Sequence, residues 1–198
     1  MRHSPTRTRR TTSAIAAVLA VIAVAVLASC GSAAKTKQEV ADTSGLFHYK
    51  VPATWQTRAE PGMTTAYAAE ELPAEDETTD ALTIVTMLST VTTETPVPEA
   101  LAGYVSGLGA ARGWTEVSAA DPAAATVGGR AASRIDVTGT DARGRAFKAA
   151  YFWIRTNARE VLIVAVTPTD RWNAYSADLH DVLNEWYWHL SEGTDAGS

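Results

Sequence analysis

The chain has 198 residues, of which 46% are hydrophobic and 20% are charged, and its formal net charge at pH 7 is −5. This length and apolar content are typical of one domain with a substantial core. The acidic balance argues against nucleic-acid binding, and the single cysteine excludes an internal disulfide.

The first 29 residues have the pattern of a signal peptide. Several arginines and no acidic residue precede an uncharged apolar stretch from Ala14 to Ala28. A membrane-spanning helix needs about 20 residues, so this shorter stretch fits the apolar region of an export signal better. The chain is therefore predicted to be exported.

The only cysteine lies where the apolar stretch ends, in the sequence Leu27-Ala28-Ser29-Cys30. This sequence resembles the lipobox of bacterial lipoproteins. The resemblance implies that Cys30 receives a diacylglycerol and becomes an acylated N-terminus, carrying chains such as palmitate, after the Ser29–Cys30 bond is cut. Two or three acyl chains hold a protein stably on a membrane, here on the extracytoplasmic face of the cell membrane. The alternative is a free or buried cysteine after an ordinary signal peptide.

Cleavage would leave 169 residues with 13 basic and 22 acidic side chains, a net charge of −9. So acidic a surface argues against lying flat on anionic lipid, and the lipid on Cys30 is expected to supply the membrane contact. Residues 30–44 are predicted to be a lipidated flexible tether, since they are mostly small and polar, and residues 191–198 a disordered tail. The domain is therefore expected to span residues 45–190.

The first half of the domain is predicted to contain short strands and one helix. Alternating or β-branched apolar residues indicate strands at residues 46–51, 64–69 and 81–90. A helix is predicted from about Pro98 to Gly113, because Leu101, Tyr104, Val105 and Leu108 recur at helical spacing. Residues 114–117 are predicted to form another short strand.

The second half is predicted to contain three consecutive strands and a final helix. The strands are at residues 130–140, 145–156 and 160–168. Glycines indicate tight turns at residues 127–130 and at Gly144. The helix follows Pro168, and its apolar residues at helical spacing are Trp172, Tyr175, Leu179, Val182, Leu183, Trp186 and Leu190.

Three stretches together resemble the PsbP-like superfamily and its actinobacterial, LpqN-type lipoprotein branch. They are GLFHYKVPATWQ (45–56), TVGGRAASRIDVTGTDARGRAFKAAYFWIR (126–155) and EVLIVAVTPTDRWNAYSADLHDVLNEW (160–186). The resemblance covers roughly residues 45–190. It implies an α/β fold in which helices pack on both faces of an antiparallel sheet, an α/β/α sandwich. It also implies a role in binding other proteins and assisting assembly, with no common catalytic residues.

The residues themselves give little sign of catalytic or metal chemistry. Three histidines remain after processing, His48, His180 and His189, and none forms a pair at metal-ligand spacing along the sequence. Ser106 lies in a helix pattern rather than in the strained turn that presents a nucleophilic serine. We therefore expect no enzyme activity, no metal and no cofactor.

One candidate partner-binding feature is an acidic stretch of six carboxylates in eleven residues: Glu70, Glu71, Glu75, Asp76, Glu77 and Asp80. The ordinary interpretation is a solvated loop between two strands. The alternatives are a site for a basic partner or a weak calcium site. The stretch lacks the spacing of an EF-hand loop, so the basic partner is the preferred alternative.

The second candidate partner-binding feature is Trp188. The sequence EWYWHL has three consecutive aromatic residues, and the predicted final helix includes them. They cannot all face the sheet, because neighbouring residues of a helix are about 100° apart. Trp188 is therefore expected to cover a sheet edge, cap a pocket or lie exposed at an interface.

Two hypotheses of different kinds follow. The first is a membrane-anchored, non-catalytic interaction module with a protein partner, and the second is a carrier for a lipid or another apolar envelope ligand. A carrier needs an apolar cavity of some hundreds of cubic ångströms between sheet and helix, whereas an interaction module needs an exposed patch.

Overall fold

The computed structural model describes residues 36–69, 80–92, 94–156 and 158–189. The strands in these ranges are β1 (Lys37–Ala41), β2 (Phe47–Pro52), β3 (Gln56–Glu60), β4 (Met63–Tyr67), β5 (Thr83–Thr90), β6 (Thr115–Ala119), β7 (Ala123–Val127), β8 (Arg130–Thr140), β9 (Ala146–Arg155), β10 (Arg159–Pro168) and β11 (Trp186–Trp188). The helices are α1 (Val97–Ala111) and α2 (Trp172–Asn184), and a 3₁₀ turn (Thr169–Arg171) precedes α2. Over the same ranges, neither helix has the length and hydropathy to span a bilayer.

The strands form two antiparallel sheets. The larger sheet has the order β3-β4-β5-β10-β9-β8-β6, and β7 pairs with the remaining length of β8. The smaller sheet has the order β1-β2-β11. The predicted antiparallel, strand-rich architecture with two helices is confirmed.

The core consists of two clusters that use alternate residues of the same strands. In β9, Ala150, Phe152 and Ile154 belong to the first cluster, and Ala149 and Tyr151 belong to the second. Successive side chains of a strand point to opposite faces, so β9 and β10 bury apolar residues on both faces, as the continuous apolar sequence of β10 predicts.

Each helix packs into one of these clusters. Leu101 and Val105 of α1 belong to the second cluster, with β8 and β9. Leu179 and Val182 of α2 belong to the first cluster, which also includes the inward side chains of the smaller sheet, such as Tyr49.

The prediction for the end of the chain is wrong. The final helix was expected to continue through Trp186 to Leu190, but α2 ends at Asn184 and residues 186–188 form β11, which pairs with β2. The aromatic residues therefore alternate in and out with period two. Trp186 is buried and stacks on Tyr49 with ring centroids 4.5 Å apart, while Tyr187 points outward.

The prediction of a flexible tether is wrong for residues 37–41. These residues form β1, whose Val40 lies directly opposite Tyr49 of β2 and is buried in the first cluster. A single large apolar residue among small and polar ones gives no strand pattern in the sequence, and only the partner strand makes its burial possible. The domain therefore begins at least eight residues before the predicted position 45, at Lys37.

The predicted turn at residues 127–130 is confirmed and connects β7 to β8. Gly128 and Gly129 both have positive φ, at 53° and 78°, as a two-residue hairpin turn requires. The backbone N–H of Gly128 donates a hydrogen bond to the carbonyl oxygen of Leu183 at 2.9 Å. The turn therefore lies against the end of α2 and the start of β11.

Candidate functional site

Only one member of the predicted acidic stretch, Asp80, lies within the described residues; Glu70, Glu71, Glu75, Asp76 and Glu77 lie outside them, as does Cys30. Asp80 accepts a hydrogen bond from Nη1 of Arg145 at 2.8 Å. The Asp80 side chain is 85% exposed, so this ion pair is solvated. A cation from another molecule can therefore take the place of Arg145 beside Asp80 at little cost in free energy.

Arg145 is held in place by a buried carboxylate, Asp141. Arg145 Nε donates to Asp141 Oδ2 at 3.2 Å, and Asp141 Oδ1 accepts the backbone N–H groups of Arg143 and Arg145 at 2.9 Å. Burial alone would raise the pKa of Asp141, but these hydrogen bonds and the Arg145 charge outweigh burial, so its pKa lies below the usual range. Asp141 is therefore ionised at neutral pH, and its hydrogen bonds hold the turn between β8 and β9 in place.

A surface hollow of about 520 Å³ opens beside this ion pair; its lining residues are Asp80, Arg145, Ala146, Pro168, Thr169 and Asp170. We call it the Arg145 hollow. Asp80 reaches it from the segment before β5, Arg145 from the turn before β9, and Asp170 from the 3₁₀ turn after β10. Exposed carboxylates therefore lie on the wall of the hollow together with one guanidinium, an arrangement that can accept a cationic side chain next to Asp80 and Asp170.

Trp188, the other predicted partner-binding residue, is half-buried and takes the covering role. Its indole N–H donates to the carbonyl oxygen of Val127 at 3.0 Å, and its ring lies edge-on to Phe47 at 5.9 Å. It therefore covers the join between β11 and the β7–β8 hairpin. The exposed aromatic residue of this strand is instead Tyr187, at 46%.

Tyr187 belongs to the outer face of the smaller sheet. His48 stacks on it at 4.8 Å, Lys50 Nζ lies 5.6 Å from its ring centre, and His189 contacts His48. The sequence prediction missed the meeting of the two histidines, because 141 positions separate them and the second was assigned to a helix. If residues 186–188 are recognised as a strand antiparallel to β2, its register places His189 next to His48.

Among the residues that the structure describes, no group of three or more His, Cys, Asp or Glu side chains has metal-binding geometry. The third histidine of the domain, His180, lies on α2 and hydrogen-bonds Asn184 at 2.9 Å. Its hydrogen-bond partner is therefore different from those of the other two.

Comparisons with known proteins identify the fold. No family model matches the sequence, and no curated protein matches it. Among solved structures, LpqN of Mycobacterium tuberculosis, described as involved in cell envelope biogenesis, is similar with a TM-score of 0.54 at 16% identity. That alignment covers 76% of this chain and 90% of LpqN.

Two further structures are similar at the same TM-score of 0.54 and 14% identity. Cyanobacterial PsbP from Synechocystis sp. PCC 6803 aligns over 83% of this chain and 99% of its own. The Ran-binding protein Mog1p of Saccharomyces cerevisiae aligns over 78% of this chain and 96% of its own. At these identities the likeness concerns the fold alone, and it confirms the PsbP- and LpqN-type fold that the sequence motifs predict.

Proposed function

We propose that this chain, whose domain has the PsbP- and LpqN-type fold, is a membrane-anchored extracytoplasmic lipoprotein that acts as a non-catalytic interaction module of the cell envelope. In the arrangement that we propose, α1 and α2 pack on opposite faces of the larger sheet, as an α/β/α sandwich. The contribution of α1 and α2 to different core clusters, built from alternate residues of the same strands, supports this arrangement.

The anchor rests on Cys30. The basic start, the apolar stretch and the sequence Leu27-Ala28-Ser29-Cys30 support lipidation there. One structural neighbour, LpqN, is described as involved in cell envelope biogenesis. Another, Mog1p, is described as a Ran-binding protein. Both names are consistent with an envelope protein whose work is binding.

The observation that carries the interaction proposal is the Arg145 hollow. It lies at the C-terminal end of the acidic stretch, and the exposed carboxylates of Asp80 and Asp170 line it. A lysine or arginine of a partner can bind between these carboxylates while other basic residues meet the remaining acidic side chains. The partner class is therefore a basic protein surface.

The carrier alternative receives no support from this hollow. A lipid carrier requires an enclosed, apolar cavity between sheet and helix. The Arg145 hollow opens to the surface, and three of its six lining residues carry charge.

The anchor is tested by mass spectrometry of the protein extracted from its own envelope in mild detergent. We expect a chain that begins at Cys30 and carries acyl mass, and we expect Cys30→Ala to leave the chain uncleaved and without lipid. The matched control Ser32→Ala should be processed normally. An unmodified wild-type chain would refute the anchor.

The partner site is tested by cross-linking in the same envelope, comparing Asp80→Asn/Asp170→Asn with a control in which exposed acids elsewhere are neutralised, Glu99→Gln/Asp121→Asn. We expect one cross-linked protein species that decreases at least about fivefold in the first variant, the loss expected for one or two charge pairs, and stays in the control. Equal cross-linking in both variants would contradict the assignment of the Arg145 hollow.

A further inference from the structure

Two imidazole rings meet on the outer face of the smaller sheet. Nδ1 of His48 lies 2.6 Å from Nε2 of His189. The backbone brings them together, because β11 pairs antiparallel with β2 and the N–H of His189 donates to the carbonyl oxygen of Leu46 at 2.8 Å. Two ring nitrogens that face each other at this distance are a hydrogen-bonded pair, in which one of the two carries the proton. Neutral imidazole nitrogens are also the commonest metal ligands, so both can bind one metal ion once that proton has left the space between them.

His48 has two further neighbours besides His189. Its other nitrogen, Nε2, lies 3.8 Å from Oε2 of Glu39 on the neighbouring strand β1, and the ring stacks on Tyr187. A carboxylate near Nε2 favours a proton on that nitrogen, so Nδ1 has a lone pair and accepts the hydrogen bond from Nε2 of His189. The same lone pair can bind a metal ion when His189 carries its proton on Nδ1 instead. Histidines that bind metals commonly have such a carboxylate behind them.

We propose that His48 and His189 form a surface site for Cu²⁺, with His48 Nδ1 and His189 Nε2 as ligands and Glu39 as the positioning residue behind His48. Water would supply the remaining ligands, in keeping with a site that has two protein ligands rather than three. This site is separate from the Arg145 hollow and goes beyond the interaction function proposed above.

Both Cu²⁺ and Zn²⁺ need the two rings to separate, and the general affinity order of imidazole sites favours Cu²⁺. Metal–nitrogen bonds of about 2.0 Å at 90° place two ligand nitrogens about 2.8 Å apart, whereas tetrahedral bonds place them about 3.3 Å apart. The observed 2.6 Å therefore needs a small widening for square-planar Cu²⁺ and a larger one for tetrahedral Zn²⁺. His189 is exposed, so its ring can move at low cost. Imidazole ligands also bind Cu²⁺ more tightly than Zn²⁺ in general.

The test is titration of the full chain with CuCl₂ in mild detergent, without a histidine tag, followed by calorimetry and electron paramagnetic resonance. A histidine at position 3 can bind copper with the terminal amine, and a free thiol can reduce it, so every protein carries His3→Gln and Cys30→Ser. We expect one Cu²⁺ per chain, with the spectral splitting of two imidazole nitrogens and weaker binding of Zn²⁺.

The variants distinguish Cu²⁺ binding at His48 and His189 from Cu²⁺ binding at any other histidine of the chain. His48→Gln and His189→Gln should each weaken binding at least about tenfold, and Glu39→Gln should weaken it about tenfold, the lower end of the range for a carboxylate behind a ligand. The matched control His180→Gln removes the remaining histidine and should leave the affinity unchanged. Because His189 is exposed, His189→Gln should fold normally, and circular dichroism checks this. Unchanged affinity in folded His189→Gln, or a loss in His180→Gln, would overturn the proposal.

Discussion

Gly128 and Gly129 occupy the same turn and the same left-handed backbone region, but they differ in what a side chain would meet. A Cβ atom on Gly128 would lie 2.2 Å from the carbonyl oxygen of Trp186, whereas a Cβ atom on Gly129 would meet nothing within 4 Å. The close approach at Gly128 is what allows the hairpin to lie against β11.

We therefore expect different costs for the same substitution at these two positions. Gly129→Ala should lower the free energy of unfolding by about 1 kcal/mol, the cost of a left-handed alanine. Gly128→Ala should lower it by about 3 kcal/mol or more, because backbone must also move. Urea unfolding of both variants measures the difference, and equal costs would show that the contact with Trp186 carries no energy.

A buried ion pair at the β9–β10 hairpin gives a second residue-scale prediction. Nε of Arg155 donates to Oε1 of Glu160 at 2.6 Å, and the Glu160 side chain is only 5% exposed. Glu160→Gln leaves a largely buried guanidinium without its counter-charge, so we expect a loss of about 2–3 kcal/mol in unfolding free energy.

The exposed pair Arg58–Glu60 is the control for that prediction, with atoms 4.0 Å apart and Glu60 48% exposed. Glu60→Gln should change stability by less than about 0.5 kcal/mol. If the two variants unfold at the same urea concentration as the wild type, burial of the Arg155–Glu160 pair does not stabilise the fold.

At the scale of elements, β2 and β9 each bury a tyrosine whose ionisation opposes folding. Burial raises the pKa of Tyr49 to about 12 despite its hydrogen bond with Thr64, and burial likewise raises the pKa of Tyr151 to about 12. An unfolded tyrosine has a pKa of about 10. Each native tyrosine therefore keeps its proton where the unfolded chain loses it, and the stability this provides is present below pH 10 and is lost between about pH 10 and 12.

We expect the urea midpoint to fall less steeply over this pH range in Tyr151→Phe than in the wild type. For each protein, the change in urea midpoint between pH 9 and pH 11.5 is measured. The contributions of other titrating groups cancel when the change in the variant is subtracted from the change in the wild type. In the native protein, the absorbance of ionised tyrosine should rise at a higher pH than in the unfolded chain. If the urea midpoint of Tyr151→Phe falls with pH as steeply as that of the wild type, the pKa of Tyr151 is not raised by folding.

The strand assignment of residues 186–188 is tested by neighbouring aromatic residues. Trp186 is 2% exposed, stacks on Tyr49 and contacts the tilted ring of Phe47, so Trp186→Ala should lower the free energy of unfolding by about 3–5 kcal/mol. Tyr187→Ala should cost less than about 1 kcal/mol, because that ring points outward. Thermal unfolding of both variants checks this; similar costs would argue against the alternation of a strand.

Long elements were predictable because their own sequences determine them. The helix at α1 and the strands β8, β9 and β10 have several turns or many β-branched and aromatic residues, so their patterns are strong. The strands β1, β3, β7 and β11 have three to five residues each, and pairing with a distant strand decides their structure. In β11 the aromatic residues fit either period until β2 is placed beside them.

At the scale of the whole molecule, the candidate sites depend on contacts that a sequence does not display. Asp80 and Arg145 are 65 positions apart, and only the order of the larger sheet brings them together. The acidic stretch could be recognised from its composition, but its neighbouring guanidinium could not. The lipidation motif is the opposite case, because it is read from consecutive residues, and it stays a prediction.

The early start of β1 would limit how far the domain can move from a membrane to which Cys30 anchored it. If Cys30 carries the lipid, the six residues 31–36 reach at most about 20 Å, whereas a link running to residue 44 would reach about 50 Å. The shorter radius would confine the start of the domain to a volume about fifteenfold smaller and raise its local concentration near the bilayer by a similar factor. A tether this short would therefore favour partners that lie within about one domain diameter of the membrane surface.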